Sequence, residues 1–484
     1  MSTTTTDSGT RTARAQTLRN RFGFGIGTIG RDAGYTLISM FLLFYLSDIL
    51  TVSTPVFASV TVILVAVRVF DAVIDPFVGV LVDNTRTKWG KFKPWILVGV
   101  VISGVLMLLM FTPFSLDDAA FVVVFSAVYL AWSVAFAAND IGYWSMLPAL
   151  TQEQSERERI GAFARICASI GTFAMVVAIV PVSSAIGEAI GDIRWSFFVV
   201  ALGVVVLTIT LQGVMLLMTR EDRSLSGQPH TKFRELISVI FRNDQLLAIA
   251  IAFVLFNVAF TVTTNFGIYY FKYVYGDEEM YSIFTLVLGV SQLTALVVYP
   301  AIARRMSRRM LFTITLVAVV VGYGLFFFTP PGGLAMIIVS GVLVFAAQAM
   351  IQVHMLMFIA DTVEYGEHKL GRRNDGVTLS LQPFIYKLSS AVATGVTGWA
   401  VIASGIKEAG DTSITDDGQL LVRVVMFVVP ALLIALSYVV YRVWYKLDEA
   451  RYEEIVEELR IRKVAAASVV VVETGEGSDD DARA

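Results

Sequence analysis

The sequence predicts an all-α membrane protein of twelve transmembrane helices, arranged as two six-helix bundles. Of its 484 residues, 56% are hydrophobic and only 16% are charged, whereas a soluble domain carries about 25% charged residues. The apolar residues form runs such as ILVGVVISGVLMLLMFTPF and LFTITLVAVVVGYGLFFF, which reach the roughly 18 residues that mark a membrane span. These runs exclude a water-soluble enzyme, and the net charge of -3 excludes a basic nucleic-acid-binding protein.

Turn residues and charged runs separate twelve apolar segments. Pro94 begins the third segment after a basic run, and Pro330-Pro331 separates the ninth from the tenth. The predicted spans, with limits good to about four residues, are 23–50, 54–82, 94–113, 119–149, 160–186, 193–219, 246–274, 280–304, 309–330, 334–362, 376–405 and 418–446.

The distribution of lysine and arginine predicts the orientation of the spans. Most of the 37 basic residues face the cytoplasm if both termini do, and Arg194, Lys272 and Lys407 then lie on the outer side. An odd number of spans gives no such separation. We therefore expect a multi-pass protein of the cell membrane (plasma or inner membrane) with cytoplasmic termini.

The chain divides into five segments on this basis. Residues 1–22 are polar and lack the apolar core of a signal peptide, so they are predicted to form a disordered cytoplasmic arm. An N-terminal bundle (23–219) and a C-terminal bundle (246–446) are joined by a cytoplasmic loop (220–245). Residues 447–484 are predicted to form an amphipathic cytoplasmic helix and an acidic tail.

Ionisable residues inside the spans are the strongest functional signal. Each costs about 2.5–3.5 kcal/mol at the centre of a span on insertion scales, so each requires a reason. The residues so placed are Arg31, Asp32, Arg68, Asp71, Asp75, Asp140, Arg165 and Lys387, with the polar His354. Their number predicts a polar cavity between the helices.

Asp71 and Asp75 are four residues apart, and Arg68 precedes Asp71 by three. Helical spacing places all three on one face. Two carboxylates in a dry cavity cannot both ionise cheaply, so one is expected to take up a proton or a small cation while Arg68 holds the other ionised. The alternative is a structural Arg–Asp pair with Asp75 facing the cytoplasm.

Asp140 and Trp144 are likewise four residues apart. A carboxylate that accepts hydroxyl groups beside an indole ring is a common way to hold a sugar. Trp144 could equally belong to the aromatic belt at the membrane interface. Arg31 and Asp32 in the first span favour the polar cavity.

Four motifs together resemble a known family. GRD, RVFDAVIDPFVGVLVDNTRTKWGKFKPW, NDIGYWSMLPALT and ADTVEYGEHKLGRRNDG are similar to the glycoside–pentoside–hexuronide:cation symporters, from Gly23 to Lys463. A basic loop after the second span of each half also resembles the major facilitator architecture, in which sites form between the halves. The resemblance implies import of a sugar or glycoside with a cation by alternating access, without covalent chemistry or a cofactor.

The resemblance also implies roles for individual residues. The implied cation-coupling residues are Asp71, Asp75 and Lys387, the substrate-binding residues Arg31, Asp32, Asp140, Trp144, Arg165 and Gln382, and the gating residues Asp83, Arg86, Asp361 and Glu364. A positive-inside signal explains Arg86 almost as well as gating, and a structural histidine is the preferred interpretation of His354.

Departures from the family pattern bear on the ion and the sugar. Ile74 and Ala137 stand where the best-known member has an asparagine and a threonine that complete a sodium site. Sodium needs several oxygen ligands, whereas a proton needs one carboxylate. We therefore expect proton coupling, provided that no neighbouring oxygen substitutes, with sodium at the two acids of span two as the alternative. Phe136 and Pro383 replace polar residues near the sugar, so a glycoside, a pentoside and a uronide all remain open.

Two other functions are compatible with parts of the sequence. A lysophospholipid symporter would share the acids of span two, but Arg31, Asp140 and Trp144 favour a sugar. A sugar sensor would usually add a signalling domain, and only 21 residues follow Lys463. The sequence has no catalytic motif of a membrane enzyme, and its single cysteine, Cys167, allows no internal disulfide. A monomer is expected by analogy with the architecture.

Overall fold

A computed structural model describes residues 5–151, 153–221, 242–330, 333–371, 375–409, 414–447 and 451–462. In these residues there is no strand, and twelve long helices follow one another along the chain. They are α1 (Thr5–Phe44, continued by the π-helical turn Tyr45–Ile49), α2 (Thr54–Asn84), α3 (Lys93–Met110), α4 (Asp118–Met146), α5 (Gln154–Ile190), α6 (Ile193–Met218), α7 (Asp244–Tyr270, continued by the π-helical turn Phe271–Tyr275), α8 (Met280–Ala303), α9 (Arg308–Phe327), α10 (Leu334–Leu370), α11 (Asp375–Ala403) and α12 (Asp416–Trp444).

The helices have the length and composition of membrane spans. Within the described part of the chain, ten are long and apolar enough to cross a membrane. The other two, α1 and α11, are 40 and 29 residues long and carry charged residues of the predicted cavity. The all-α, multi-pass membrane fold expected from the sequence is confirmed.

Local sequence signals set where the helices begin and end. Proline lies in the first turn of α2 and α3, where its missing N–H costs nothing. The side chains of Asn243 and Ser307 cap α7 and α9 by accepting hydrogen bonds from backbone N–H groups. Gly191 ends α5 with a φ of 81°, a conformation that favours glycine.

The helices of each half pack mainly on one another. α1 lies against α5 and α6, and α7 lies against α11 and α12. The halves meet where α2 contacts α11 and where α5 contacts α8. A glycine allows a close approach in the first half, since a Cβ at Gly171 of α5 would clash with the carbonyl oxygen of Ile29 in α1.

The N-terminal arm differs from the predicted disordered segment, because α1 already begins at Thr5. Polar contacts hold this extension against the bundle and explain the difference. The amide of Gln16 donates to the carbonyl of Met218 at 3.2 Å, and Arg21 forms an ion pair with Glu156 at 2.5 Å. Residues 1–4 lie outside the described residues.

Two segments that the sequence predicts to be cytoplasmic are anchored to the bundle. The carboxylate of Glu221 accepts hydrogen bonds from the backbone N–H groups of Lys91 and Lys93, at 2.8 and 3.1 Å, at the start of α3. Residues 222–241 of the predicted central loop lie outside the described residues. Residues 451–462 form a helix, which docks through the buried Ile455 and Leu459. The division into five segments stays a prediction.

Candidate functional site

Arg31 of α1 joins two carboxylates in the first half. Its guanidinium contacts Asp32 and Asp140 of α4, each at 2.8 Å. The Arg31 side chain is 6% exposed, whereas those of Asp32 and Asp140 are 24% and 36% exposed. A planar guanidinium suits two carboxylates at once. The buried arginine therefore fixes the two acids, whose exposed oxygens can still accept hydrogen bonds from a ligand.

The Trp144 ring lies beside this group. The guanidinium carbons of Arg31 and Arg165 both lie 5.1 Å from the centre of the indole, within the range of a cation–π interaction. Arg31 lies equally close to the ring of Tyr143, whose hydroxyl donates to the carbonyl of Phe24. Two cations, two acids and an indole therefore share one site.

A second charged group lies between the halves. Lys387 of α11 forms an ion pair with Asp75 of α2. The hydroxyl of Ser133 in α4 donates a hydrogen bond to Asp71. Among the residues that the structure describes, the buried Oδ1 of Asp75 has no hydrogen-bond partner. An unpartnered carboxylate oxygen fits the uptake of a proton or a cation.

Arg68 makes its hydrogen bond to a tyrosine, whereas a structural Arg–Asp pair was the alternative interpretation of the sequence. Its guanidinium donates a hydrogen bond to the hydroxyl of Tyr35 at 3.2 Å and acts on Asp71 electrostatically. Arg68 thus belongs to the site through Tyr35, which connects α2 to α1.

The charges of the two groups balance. Four cations face four acids, so their formal sum is zero. They are Arg31, Arg68, Arg165 and Lys387 with Asp32, Asp71, Asp75 and Asp140. In the described residues no group of three or more His, Cys, Asp or Glu side chains is placed to hold a metal ion.

Comparison with known proteins identifies the family. Residues 23–449 match the sequence profile described as MFS/sugar transport protein. The chain belongs to this family. The raffinose carrier protein of Pediococcus pentosaceus is 32% identical over 91% of this chain and 71% of its own length. The lactose permease of Lactobacillus delbrueckii subsp. bulgaricus is 30% identical over 91% and 72%. The resemblance to the glycoside–pentoside–hexuronide:cation symporters is confirmed. The protein is a membrane transporter and not an enzyme.

Solved structures share the fold of this transporter. The nucleoside transporter NupG superposes with a TM-score of 0.57 at 15% identity, over 89% of this chain and 100% of that one. A bacterial homologue of ferroportin in an inward-facing state gives 0.56 at 12% identity, over 89% and 99%. At such low identity these similarities concern the fold alone.

The remaining predicted residues of the transporter lie outside the two charged groups. Gln382 of α11 donates to the hydroxyl of Tyr386 at 3.4 Å. Asp361 pairs with Arg308 at 2.7 Å, within the second half. His354 is fully buried, and its Nδ1 contacts the carbonyl of Met350 at 2.8 Å.

The other residues predicted to gate lie near the C-terminal ends of α2 and α10. Arg86 is exposed in the loop after α2, and Glu364 is half-buried in α10. The side chain of Asp83 lies outside the described residues. The gating roles of these residues stay predictions.

Sequence reasoning missed Ser133 and Tyr35. Ser133, Ala137, Asp140 and Trp144 are spaced by four, three and four residues, which is one face of a helix. That spacing could have placed the Ser133 hydroxyl beside the acids. No comparable signal relates Tyr35 to Arg68 on another helix.

Proposed function

We propose that this transporter imports a sugar or glycoside together with a proton by alternating access, across the cell membrane and with both termini cytoplasmic. The observation that carries the proposal is that Arg31 presents Asp32 and Asp140 beside the ring of Trp144. The names of three relatives support a sugar as the substrate. These relatives are the raffinose carrier protein, the lactose permease and, at 27% identity, the glucuronide carrier protein homologue of Escherichia coli.

The proposed site binds a sugar through groups that match its chemistry. The exposed oxygens of Asp32 and Asp140 accept hydrogen bonds from hydroxyl groups. Trp144 offers an apolar ring to the C–H face of the sugar. In this conformation Arg31 and Arg165 both contact the indole, so a stacked sugar displaces at least one guanidinium. The displaced arginine is then free to donate to the ring oxygen or to hydroxyl groups.

The proposed coupling acts through the ion pair between Asp75 and Lys387, which joins the two halves. A proton on Asp75 removes its charge and with it the attraction to Lys387 across the α2–α11 contact. Sugar then binds to a cavity in which Asp75 is neutral and the hydroxyl groups of the sugar hydrogen-bond to Asp32 and Asp140. In the proposed cycle only the empty and the fully loaded carrier reorient, because the proton alone leaves Lys387 without its anionic partner and the hydroxyl groups of the bound sugar are needed to hydrogen-bond the cavity before it closes.

Sodium coupling is the second candidate, and Ser133 favours it. The expectation of a proton rests on the absence of oxygens at Ile74 and Ala137, yet the hydroxyl of Ser133 lies one helical turn from Ala137 and contacts Asp71. With the carboxylates of Asp71 and Asp75 it supplies the kind of oxygens that a hard cation needs.

Uptake into proteoliposomes tests the proposal. Labelled glycosides, pentosides and uronides are supplied under an imposed proton gradient and, separately, under a sodium gradient. Accumulation driven by protons alone supports the proposal and gives the substrate class. Accumulation that requires sodium supports the second candidate. If no sugar moves under either gradient, the proposal is wrong, and labelled lysophospholipid is the next substrate to supply.

Two serine variants distinguish proton coupling from sodium coupling. Ser133→Ala removes the hydroxyl beside Asp71, whereas Ser126→Ala removes one on the same helix that donates to the carbonyl of Val122. Loss of sodium-driven uptake in the first variant alone indicates a sodium site that includes Ser133. Proton-driven uptake that persists in both variants indicates that a carboxylate suffices.

A further inference from the structure

A buried charged cluster joins the two halves far from the candidate site. Asp48 lies in the π-helical turn that ends α1, and Lys272 lies in the π-helical turn that ends α7. Their carboxylate and ammonium groups are 3.0 Å apart. Asp48 is 16 residues beyond Asp32, about 24 Å along a helix at 1.5 Å per residue. The transport mechanism proposed above does not use this ion pair.

Neutral donors surround the pair. The hydroxyl of Tyr273 donates to Asp48, and the hydroxyl of Ser47 contacts the same carboxylate at 2.5 Å. Ser47 also meets the hydroxyl of Tyr269 at 3.1 Å. Residues from both halves thus satisfy one carboxylate, and the contacts of Lys272, Tyr273 and Tyr269 with Asp48 and Ser47 break if the halves separate here.

A second lysine of the C-terminal half completes the group. Lys407, in the turn after α11, donates to the backbone carbonyl of Ser47 at 3.2 Å and lies 5.9 Å from the ring of Phe57. Burial lowers the pKa of Lys407, and the negative charge of Asp48 opposes that shift. We call Asp48, Lys272 and Lys407 the outer cluster.

The burial of the outer cluster depends on the two halves being in contact. The Asp48 side chain is 1% exposed and that of Lys272 is 17% exposed. Another pair at the same end of the molecule, Asp192 and Arg194, is 42% and 59% exposed with a separation of 4.0 Å. That pair is local to the start of α6 and crosses no boundary. The outer cluster therefore reports contact between the halves, and the Asp192 pair does not.

We infer that the outer cluster holds the extracellular ends of the two halves closed and must separate each time the site opens outward. The inference rests on the orientation and alternating access proposed above. Breaking one member leaves the other charges buried without compensation, whereas separation of the halves hydrates all three. Loss of Asp48 or Lys272 therefore shifts the carrier toward the outward-open state.

Distances between spin labels test the inference. Cys167 is the single cysteine, so Cys167→Ser gives a background for Leu116→Cys and Phe328→Cys. These labelled positions are 42% and 75% exposed, and they lie in the outer connections of the first and second half. Double electron–electron resonance on the full chain in nanodiscs, without sugar, then reports the separation of the outer ends. Asp48→Asn and Lys272→Gln are compared with the labelled parent, and size-exclusion chromatography selects folded protein.

Both neutral variants are expected to raise the ratio of long to short distances by about tenfold or more. Lys272→Arg keeps the charge and Asp192→Asn affects the local pair, so both are expected to match the parent. If a folded Lys272→Gln or Asp48→Asn protein keeps the distance distribution of the parent, the inference is wrong. If the distances shift as expected while the parent protein transports no sugar, the inference about the outer cluster is supported and the proposal of a sugar substrate is wrong.

Discussion

Replacing Asp75 by asparagine tests the proposed link between the coupling cation and the two halves. Exposed ion pairs contribute about 0–1 kcal/mol, and breaking a buried one costs about 3–5 kcal/mol. The side chains of Asp75 and Lys387 are 25% and 27% exposed, which is intermediate. We therefore expect the attraction across the α2–α11 contact to fall by about 2 kcal/mol, or about thirtyfold in the equilibrium between conformations.

The asparagine also stays neutral at every pH, so it imitates the protonated acid. A pH gradient of one unit supplies about 1.4 kcal/mol, enough for about a tenfold sugar gradient at one-to-one stoichiometry. The parent protein is expected to reach that ratio in proteoliposomes. Asp75→Asn is expected only to equilibrate the sugar, while exchange of labelled for unlabelled sugar continues.

The matched control is Asp192→Asn, which removes an exposed acid far from the coupling group and is expected to accumulate sugar like the parent. Both proteins are reconstituted at equal density, and accumulation and exchange are measured on the same vesicles. A tenfold accumulation by Asp75→Asn would refute the assignment of Asp75 to coupling. Loss of exchange as well as accumulation would show that the substitution damages the sugar site.

Two further predictions concern packing and the C-terminal helix. Gly171→Ala places a methyl group against the backbone of Ile29 and is expected to destabilise the protein by about 1–3 kcal/mol. The measurement is the thermal unfolding temperature, which should fall. Gly203→Ala is the control, since a Cβ there has nothing within 4 Å, and it is expected to unfold at the same temperature as the parent. A hydrogen bond from His368 lowers the pKa of Glu458. This contact therefore favours docking of the helix above the ordinary pKa of a glutamate, and its contribution is lost as the pH falls through the lowered value. Glu458→Gln is expected to speed hydrogen exchange over 451–462 at neutral pH, and unchanged exchange would contradict it.

The fold could be predicted because its signals are local. Apolar runs of sufficient length, bounded by proline, glycine and basic residues, define spans without reference to their neighbours. The same holds for acids four residues apart on one helix, such as Asp71 and Asp75. The helical N-terminal extension of α1 was missed because Gln16 and Arg21 in it contact Met218 and Glu156 far along the chain, and such contacts have no signature in the segment itself.

The sequence indicated which charged residues lie inside the spans, but it indicated less well which of them pair with one another. Arg31 precedes Asp32 directly, so their proximity follows from the chain. That the same guanidinium also reaches Asp140, 109 residues away, depends on how α1 packs against α4. The partners of Arg68 and of Asp48 are likewise set by packing between helices. Periodicity along one helix cannot supply such contacts.

The balance of charge in the cavity has a consequence for the response to membrane voltage. Four cations and four acids move together when the empty carrier reorients, so this step transfers no net charge through the electric field. In the proposed mechanism, one monovalent cation bound with an uncharged sugar makes the loaded cavity positive by one unit. A field of 100 mV then acts on the loaded step with about 2.3 kcal/mol. Under the proposed mechanism, voltage therefore drives the import step directly and leaves the return of the empty carrier unaffected.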